Sequence, residues 1–298
     1  MSLAFVYAGQ GSQKVGMGAD FYDEFPGVRE VFDAVPHIRE ICFTDSQGLL
    51  SQTKYTQPCM VTFAVAITDL LKAHGIIPEM VAGLSLGEYS ALYAAEVFDA
   101  KTVISLIEYR GTIMQESTQG IDCRMVAILG ADISIVEQAI GQVEGIADIA
   151  NINCTGQIVI GGETEAVNQA ADIAKSLGAK KCIPLNVSGP FHTRMMQEAA
   201  ELLKVRLDET KIGDMKIPVV FNISGGFLTD IKHALAMQIK SPVQFEKTIR
   251  TMQESGVDTV IEIGPGKVLS GFIKKTAPEI KVLSIETRSD FEWVKQQL

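Results

Sequence analysis

The chain has 298 residues, 47% apolar and 21% charged, the make-up of a folded globular protein with a large core and about two domains. Its net charge of −10, without a Lys/Arg cluster, argues against non-specific nucleic-acid binding, and its apolar runs are too short to span a bilayer. Its five cysteines, Cys42, Cys59, Cys123, Cys154 and Cys182, are odd in number and lack a CxxC spacing. That argues against a disulfide framework or a zinc site and predicts a reducing cytoplasm, with each thiol a small buried hydrophobe.

In chain order, residues 3–8 form an apolar run ending in a Gly/Gln turn, which predicts a buried first strand rather than a signal peptide. Residues 57–74 predict a helix closed by His74-Gly75. Residues 80–83 then predict a strand and residues 86–97 a helix, with Ser85 in the turn between them. A further helix is expected over 100–118. From 124 the rhythm changes: strand 124–130, helix 133–142, strands 148–153 and 157–161, helix 163–177, strand 181–185. That βαββαβ order is ferredoxin-like. Beyond 189, helices at 193–207 and 231–239 lead to strand 257–263, helix 267–275 and strand 281–285. The fold class expected is α/β: a hydrolase-like parallel-sheet core over 1–122 and 189–298, with an inserted ferredoxin-like subdomain over 123–188.

The run Gly83-Leu84-Ser85-Leu86-Gly87 has the G-x-S-x-G form of a nucleophile elbow. Its glycines allow a sharp strand-to-helix turn, and the following helix aims its N–H groups and positive end at developing negative charge. The pattern alone is weak, since average usage supplies it by chance in roughly one chain of this length in ten. A plain Gly-rich turn is the rival reading, and the apolar strand before and helix after favour the nucleophile. Of the four histidines, His37 reads as a surface residue, His74 as a helix-end residue and His233 as a polar helix-face residue. His192, in the loop Ser188-Gly189-Pro190-Phe191-His192-Thr193, is the candidate base. No acid lies between 180 and 191, so a carboxylate-oriented triad is not evident, and a Ser/His dyad steered by a neutral acceptor fits better. Gly9-Gln10-Gly11-Ser12-Gln13 can offer backbone N–H groups to an oxyanion. Gly264-Pro265-Gly266-Lys267 lacks the spacing of a phosphate loop and reads as a structural turn. Arg110, on an otherwise apolar helix, is either a snorkelling surface residue or a buried clamp for a carboxylate.

Seven motifs occur in order: GQGSQ, GLSLGEYSAL, Arg110-Gly111 with Met114, Asn151-x-Asn153-x3-Gln157, GPFH, SPVQF and EIGPGKVL. Together, over about residues 3–285, they resemble the malonyl-CoA:acyl carrier protein transacylases of fatty acid synthesis. The resemblance implies a malonyl-ester nucleophile at Ser85, a base at His192 and an oxyanion hole from the Gln10 and Leu86 backbone N–H groups. It implies further that Arg110 pairs with the malonyl carboxylate, that Met114, Gln157 and Phe191 contact substrate, and that the Gln244 main-chain carbonyl orients the histidine. Phe191 matches the malonyl-type pattern and should disfavour an α-methyl substituent. Leu84 and Ala8 depart from residues common in the family, without touching the catalytic set. Malonyl-CoA and acyl carrier protein are the expected partners, with no cofactor, no metal, no nucleic acid and no membrane, and the chain is expected to act as a cytoplasmic monomer. A thioesterase that releases free malonate, and a catalytically silent docking module, are the rival functions. Because carrier proteins of this pathway are themselves acidic, docking calls for a local basic patch, for which Lys180, Lys181, Lys267, Lys274 and Lys275 are candidates.

Overall fold

A computed structural model describes residues 2–298 and sorts their strands into two sheets. The chain begins with β1 (Leu3–Tyr7), three short helices α1 (Ala19–Glu24), α2 (Pro26–Asp33) and α3 (Pro36–Phe43), and the long α4 (Thr53–Ala73). β2 (Met80–Gly83), α5 (Gly87–Ala94) and α6 (Ala100–Glu116) follow. Next come β3 (Cys123–Leu129), α7 (Ile133–Ile140), β4 (Ala147–Cys154), β5 (Gln157–Glu163), α8 (Thr164–Ser176) and β6 (Lys181–Pro184), the expected βαββαβ order. The remainder is α9 (Gln197–Glu209), β7 (Val219–Val220), α10 (Ile231–Gln238), α11 (Phe245–Glu254), β8 (Thr259–Ile263), α12 (Val268–Thr276), β9 (Lys281–Ile285) and α13 (Arg288–Lys295).

The larger sheet has the order β7-β2-β1-β8-β9, and all its pairings are parallel. β1 is buried along its whole length, as a parallel strand covered on both faces must be. Tyr7 is in register with Gly83 on one side and Ile263 on the other. The carboxyl ends of the three central strands are therefore level, and the turns carrying Gln10, Ser85 and Gly264 leave the sheet side by side. Open α/β sheets bind ligands at that edge.

The smaller sheet is antiparallel, in the order β4-β5-β3-β6. Alternation along β3 splits its side chains between two cores. Val126 and Ile128 pack under α7 and α8, while Met125 and Ala127 face the main core. The SPVQF motif is where the two sheets meet: Ile152 N–H donates to the Val243 carbonyl and Val243 N–H to that of Ala150, both at 2.9 Å.

Some elements differ from the sequence reading. α4 begins at Thr53 and carries Pro58 inside it, whereas the reading placed its start at 57, beside a residue that favours first turns. The helix expected from 193 opens instead with a 3₁₀ turn, Arg194–Met196. α1 to α3 and the two-residue β7 were not expected from the sequence, because segments of about two turns or less give few repeats of a pattern and are stabilised mainly by packing.

Candidate active site

Ser85 leaves β2 with φ 54°, in the left-handed region that non-glycine residues rarely occupy. The flanking glycines are needed for contact. A Cβ on Gly83 would lie 2.0 Å from the Gly87 carbonyl carbon, and one on Gly87 would lie 2.3 Å from the Tyr7 oxygen. Backbone donors in the turn are mostly taken: Leu84 N–H donates to Tyr7 O, Gly87 to Leu84 O and Glu88 to Ser85 O. Ser85 N–H donates to Asn222 Oδ1 at 2.7 Å. Among the described residues, the Leu86 and Gln10 N–H groups have no hydrogen-bond partner in the protein, and Gly11 N–H is occupied by Gln13 Oε1. Two free donors thus flank the serine from the two turns.

His192 presents Nε2 to Ser85 Oγ at 2.8 Å. Its Nδ1–H donates to the main-chain carbonyl of Gln238 at 2.7 Å, which leaves the Nε2 lone pair facing the serine. The His192 N–H donates to Ile239 O at 2.9 Å. Both acceptors sit at the end of α10, where a helix leaves its last carbonyls unused. This corrects the expectation for Gln244. The Gln244 carbonyl accepts from Thr248 N–H and Oγ1 in the first turn of α11, six residues away from the acceptor actually used. Burial, reinforced by the nearby Arg110 charge, pushes the imidazole pKa down to about 4.

Arg110 is fully buried, which resolves the sequence alternative in favour of an internal cation. Nη1 donates to Gln57 Oε1 at 2.6 Å, and Nη2 to Gln238 Oε1 at 2.9 Å and Ser85 Oγ at 3.2 Å. The guanidinium lies 5.3 Å from the centre of the Tyr89 ring. Gly111 lets α6 pack this close to α4, since a Cβ there would come within 3.0 Å of Lys54 Cα. Among the described residues no carboxylate stands within ion-pair distance of Arg110. Its nearest hydrogen-bond partners are neutral. Desolvation holds its pKa below the ordinary value.

Ser85 and His192 open on a pocket of about 310 Å³ between the two sheets, and Arg110 lies just outside its lining, bonded to the lining residues Gln57 and Ser85. Gln10, Ser85, Met114, Phe191 and His192 line it, with Gln57 and Leu84. Leu84, one of the two departures from the family, supplies an apolar wall. Gln157 does not line the pocket. It starts β5, paired with Leu129 and Cys154, and the residue of that strand reaching the pocket is Val159, two positions on. Val268, Leu269 and Phe272 of α12 close the opposite wall.

The other histidines stand apart, as expected: His37 pairs with Glu108, His74 Nδ1 bonds the Leu70 carbonyl and His233 is exposed on α10. Cys42, Cys59 and Cys154 are buried, and Cys123 and Cys182 are only half-buried. Sequence reasoning missed Gln57, Glu88, Asn222 and Gln238. The available signal was a polar or charged residue on an otherwise apolar helix, as Gln57 is on α4 and Glu88 on α5.

A left-handed serine at the carboxyl edge of a parallel sheet, with a carbonyl-oriented histidine and two free N–H donors, defines a serine acyl-transfer enzyme. Residues 4–289 match the acyl transferase domain family. The chain is 41% identical to the malonyl CoA-acyl carrier protein transacylase of Bacillus subtilis, over 99% of this chain and 97% of that one. The structure of the enzyme of that name from Clostridium perfringens superposes with a TM-score of 0.96 at 40% identity, covering 100% of this chain and 97% of that one. The malonyl-transacylase PlMCAT, in complex with its type II PKS acyl-carrier protein AntF, superposes with a TM-score of 0.96 at 35% identity, covering 100% of each chain. The chain belongs to the malonyl CoA-acyl carrier protein transacylase family.

Proposed function

We propose that this protein moves a malonyl group from malonyl-CoA to the phosphopantetheine thiol of an acyl carrier protein through a malonyl ester on Ser85. The observation that carries the reading is Arg110: a buried guanidinium with no carboxylate partner, 3.2 Å from the nucleophile oxygen. A cation kept from water without a counter-ion is costly, and a substrate carboxylate at that distance from the reacting atom supplies one. The names of the relatives support the same substrate pair.

In the first half-reaction His192 Nε2 takes the Ser85 proton as Oγ attacks the thioester carbonyl carbon. The Gln10 and Leu86 N–H groups hold the oxyanion of the tetrahedral intermediate. Collapse breaks the carbon–sulfur bond, and the departing CoA sulfur takes the proton from His192. In the second half the carrier thiol gives its proton to His192, its sulfur attacks the ester carbonyl, and Ser85 leaves with the proton restored. The Gln238 carbonyl stabilises the imidazolium in both halves without a carboxylate. The proposed scheme draws on no cofactor or metal. Phe191 and Met114 bound the space beside the nucleophile, and Phe191 disfavours a branched acyl group. Among the described residues no helix is long and apolar enough to cross a membrane, and we place the enzyme in the cytoplasm, acting as a monomer in fatty acid synthesis.

Intact-mass and peptide mapping after incubation with malonyl-CoA test the reading. One malonyl group on the Ser85 peptide, discharged by a carrier thiol faster than by water, is expected. Folded protein that carries no adduct, or that releases free malonate as fast without the thiol, overturns it.

A further inference from the structure

The strained nucleophile is gripped from outside its own turn. Asn222, two residues past β7 and fully buried, reaches both sides of Ser85. Its Oδ1 accepts from Ser85 N–H and its Nδ2 donates to the Gly83 carbonyl, each at 2.7 Å. The main chain of Asn222 is fixed in turn: its N–H donates to Glu88 Oε2 at 2.5 Å, and its carbonyl accepts from Gln244 N–H at 2.8 Å. Glu88 is a fully buried carboxyl in the first turn of α5, three residues after the nucleophile. Its Oε1 has no hydrogen-bond partner, a costly arrangement for a group in no salt bridge among the described residues.

We propose that Asn222, set in place by Glu88, is a positioning residue that holds Ser85 in its left-handed conformation and so fixes where Oγ stands. The inference rests on Ser85 being the nucleophile. Oγ must lie at once 2.8 Å from His192 Nε2 and 3.2 Å from Arg110 Nη2. A serine at φ 54° gains by relaxing toward negative φ, and relaxation would swing Oγ away from both. The two amide bonds oppose that swing on either side of the residue. By engaging Ser85 N–H they also leave Leu86 N–H as the free donor of the elbow. Burial raises the Glu88 pKa to about 8, so a glutamine at this position imitates the form present at neutral pH.

The test measures two rates at Ser85, single-turnover acylation by malonyl-CoA and labelling by a fluorophosphonate, beside KM for malonyl-CoA and thermal stability. In Asn222→Ala both rates should fall roughly hundredfold while KM stays within about threefold, as a displaced nucleophile predicts. Asn222→Asp keeps the acceptor but loses the donor to Gly83, and both rates should fall there too. Glu88→Ala should slow both roughly tenfold, and Glu88→Gln should restore them to within about threefold of the parent. Parent-like rates in folded Asn222→Ala, or a Glu88→Gln variant as slow as Glu88→Ala, overturn the proposal. If the Asn222 variants do not fold, the Glu88 pair decides. Fluorophosphonate labelling of a parent enzyme that takes no malonyl group would defeat the malonyl reading while still deciding the role of Asn222.

Discussion

The two halves of the site are built in opposite ways. The nucleophile half is local in all but its Asn222 brace: Gly83 to Gly87 form one turn, and the Gly9-Gln10-Gly11 turn beside it leaves the neighbouring strand in register. The half that holds the base and the cation is assembled from distant segments. Gln57 on α4, Arg110 on α6, His192 in a loop and Gln238 at the end of α10 meet only in the folded protein. A local half can be read as a motif. A dispersed half depends on packing, and its tuning should be more sensitive to substitution at residues with no motif of their own.

Substitutions can break that contrast. Ser85→Ala removes the reacting atom, and transfer should fall by roughly a thousandfold or more, with no malonyl adduct by mass. Residual transfer near the parent rate would remove Ser85 from the mechanism. Gln57→Glu should act less strongly, from the dispersed half. A carboxylate where Oε1 sits 2.6 Å from Arg110 Nη1 would neutralise the guanidinium, lowering kcat/KM for malonyl-CoA roughly tenfold to a hundredfold. Unchanged kinetics would show that Gln57 does not set the charge of the clamp. Gln244→Ala is the smallest change, because the Gln244 side chain makes no hydrogen bond to His192, whose Nδ1–H donates to the Gln238 carbonyl; kcat should stay within about threefold, and a larger fall in folded protein would give the Gln244 side chain a part in the site.

Acidity separates the halves as well. His192, lowered to about 4, remains an unprotonated base well below pH 6.5, so the acid limb of kcat/KM should inflect near 4. The unfolded chain binds a proton at this histidine below about pH 6.5 that the native state takes up only near 4, so this group makes stability fall as pH drops through that window. Glu88 has the opposite sign. Raised to about 8, it keeps a proton that the unfolded chain releases above about 4.5, so stability falls as pH rises from there to 8. Denaturant unfolding of Glu88→Gln should therefore lose less stability than the parent between pH 5 and 8. Equal slopes would show that Glu88 is ionised throughout.

The sequence disclosed the α/β fold, the βαββαβ insertion and Ser85, because periodicity and glycine spacing act over a few residues. His192 emerged from its loop and from the poorer placement of the other three histidines. Arg110 stayed divided between surface and interior, since nothing within α6 says which neighbour its apolar face meets. Gln244 was misassigned for a related reason: orienting a histidine is a main-chain task, and no side-chain pattern distinguishes the carbonyl of Gln244 from that of Gln238. Asn222 is invisible in the same way, two residues after a strand of only two.

The central claim is that Arg110 selects a carboxylated acyl group. The most direct measurement compares acyl transfer to a carrier thiol from malonyl-CoA and from acetyl-CoA in the parent and in Arg110→Ala. Malonyl transfer should drop roughly hundredfold to thousandfold, about 3–4 kcal/mol, while acetyl transfer falls less than tenfold. An equal loss for the two substrates would contradict the account.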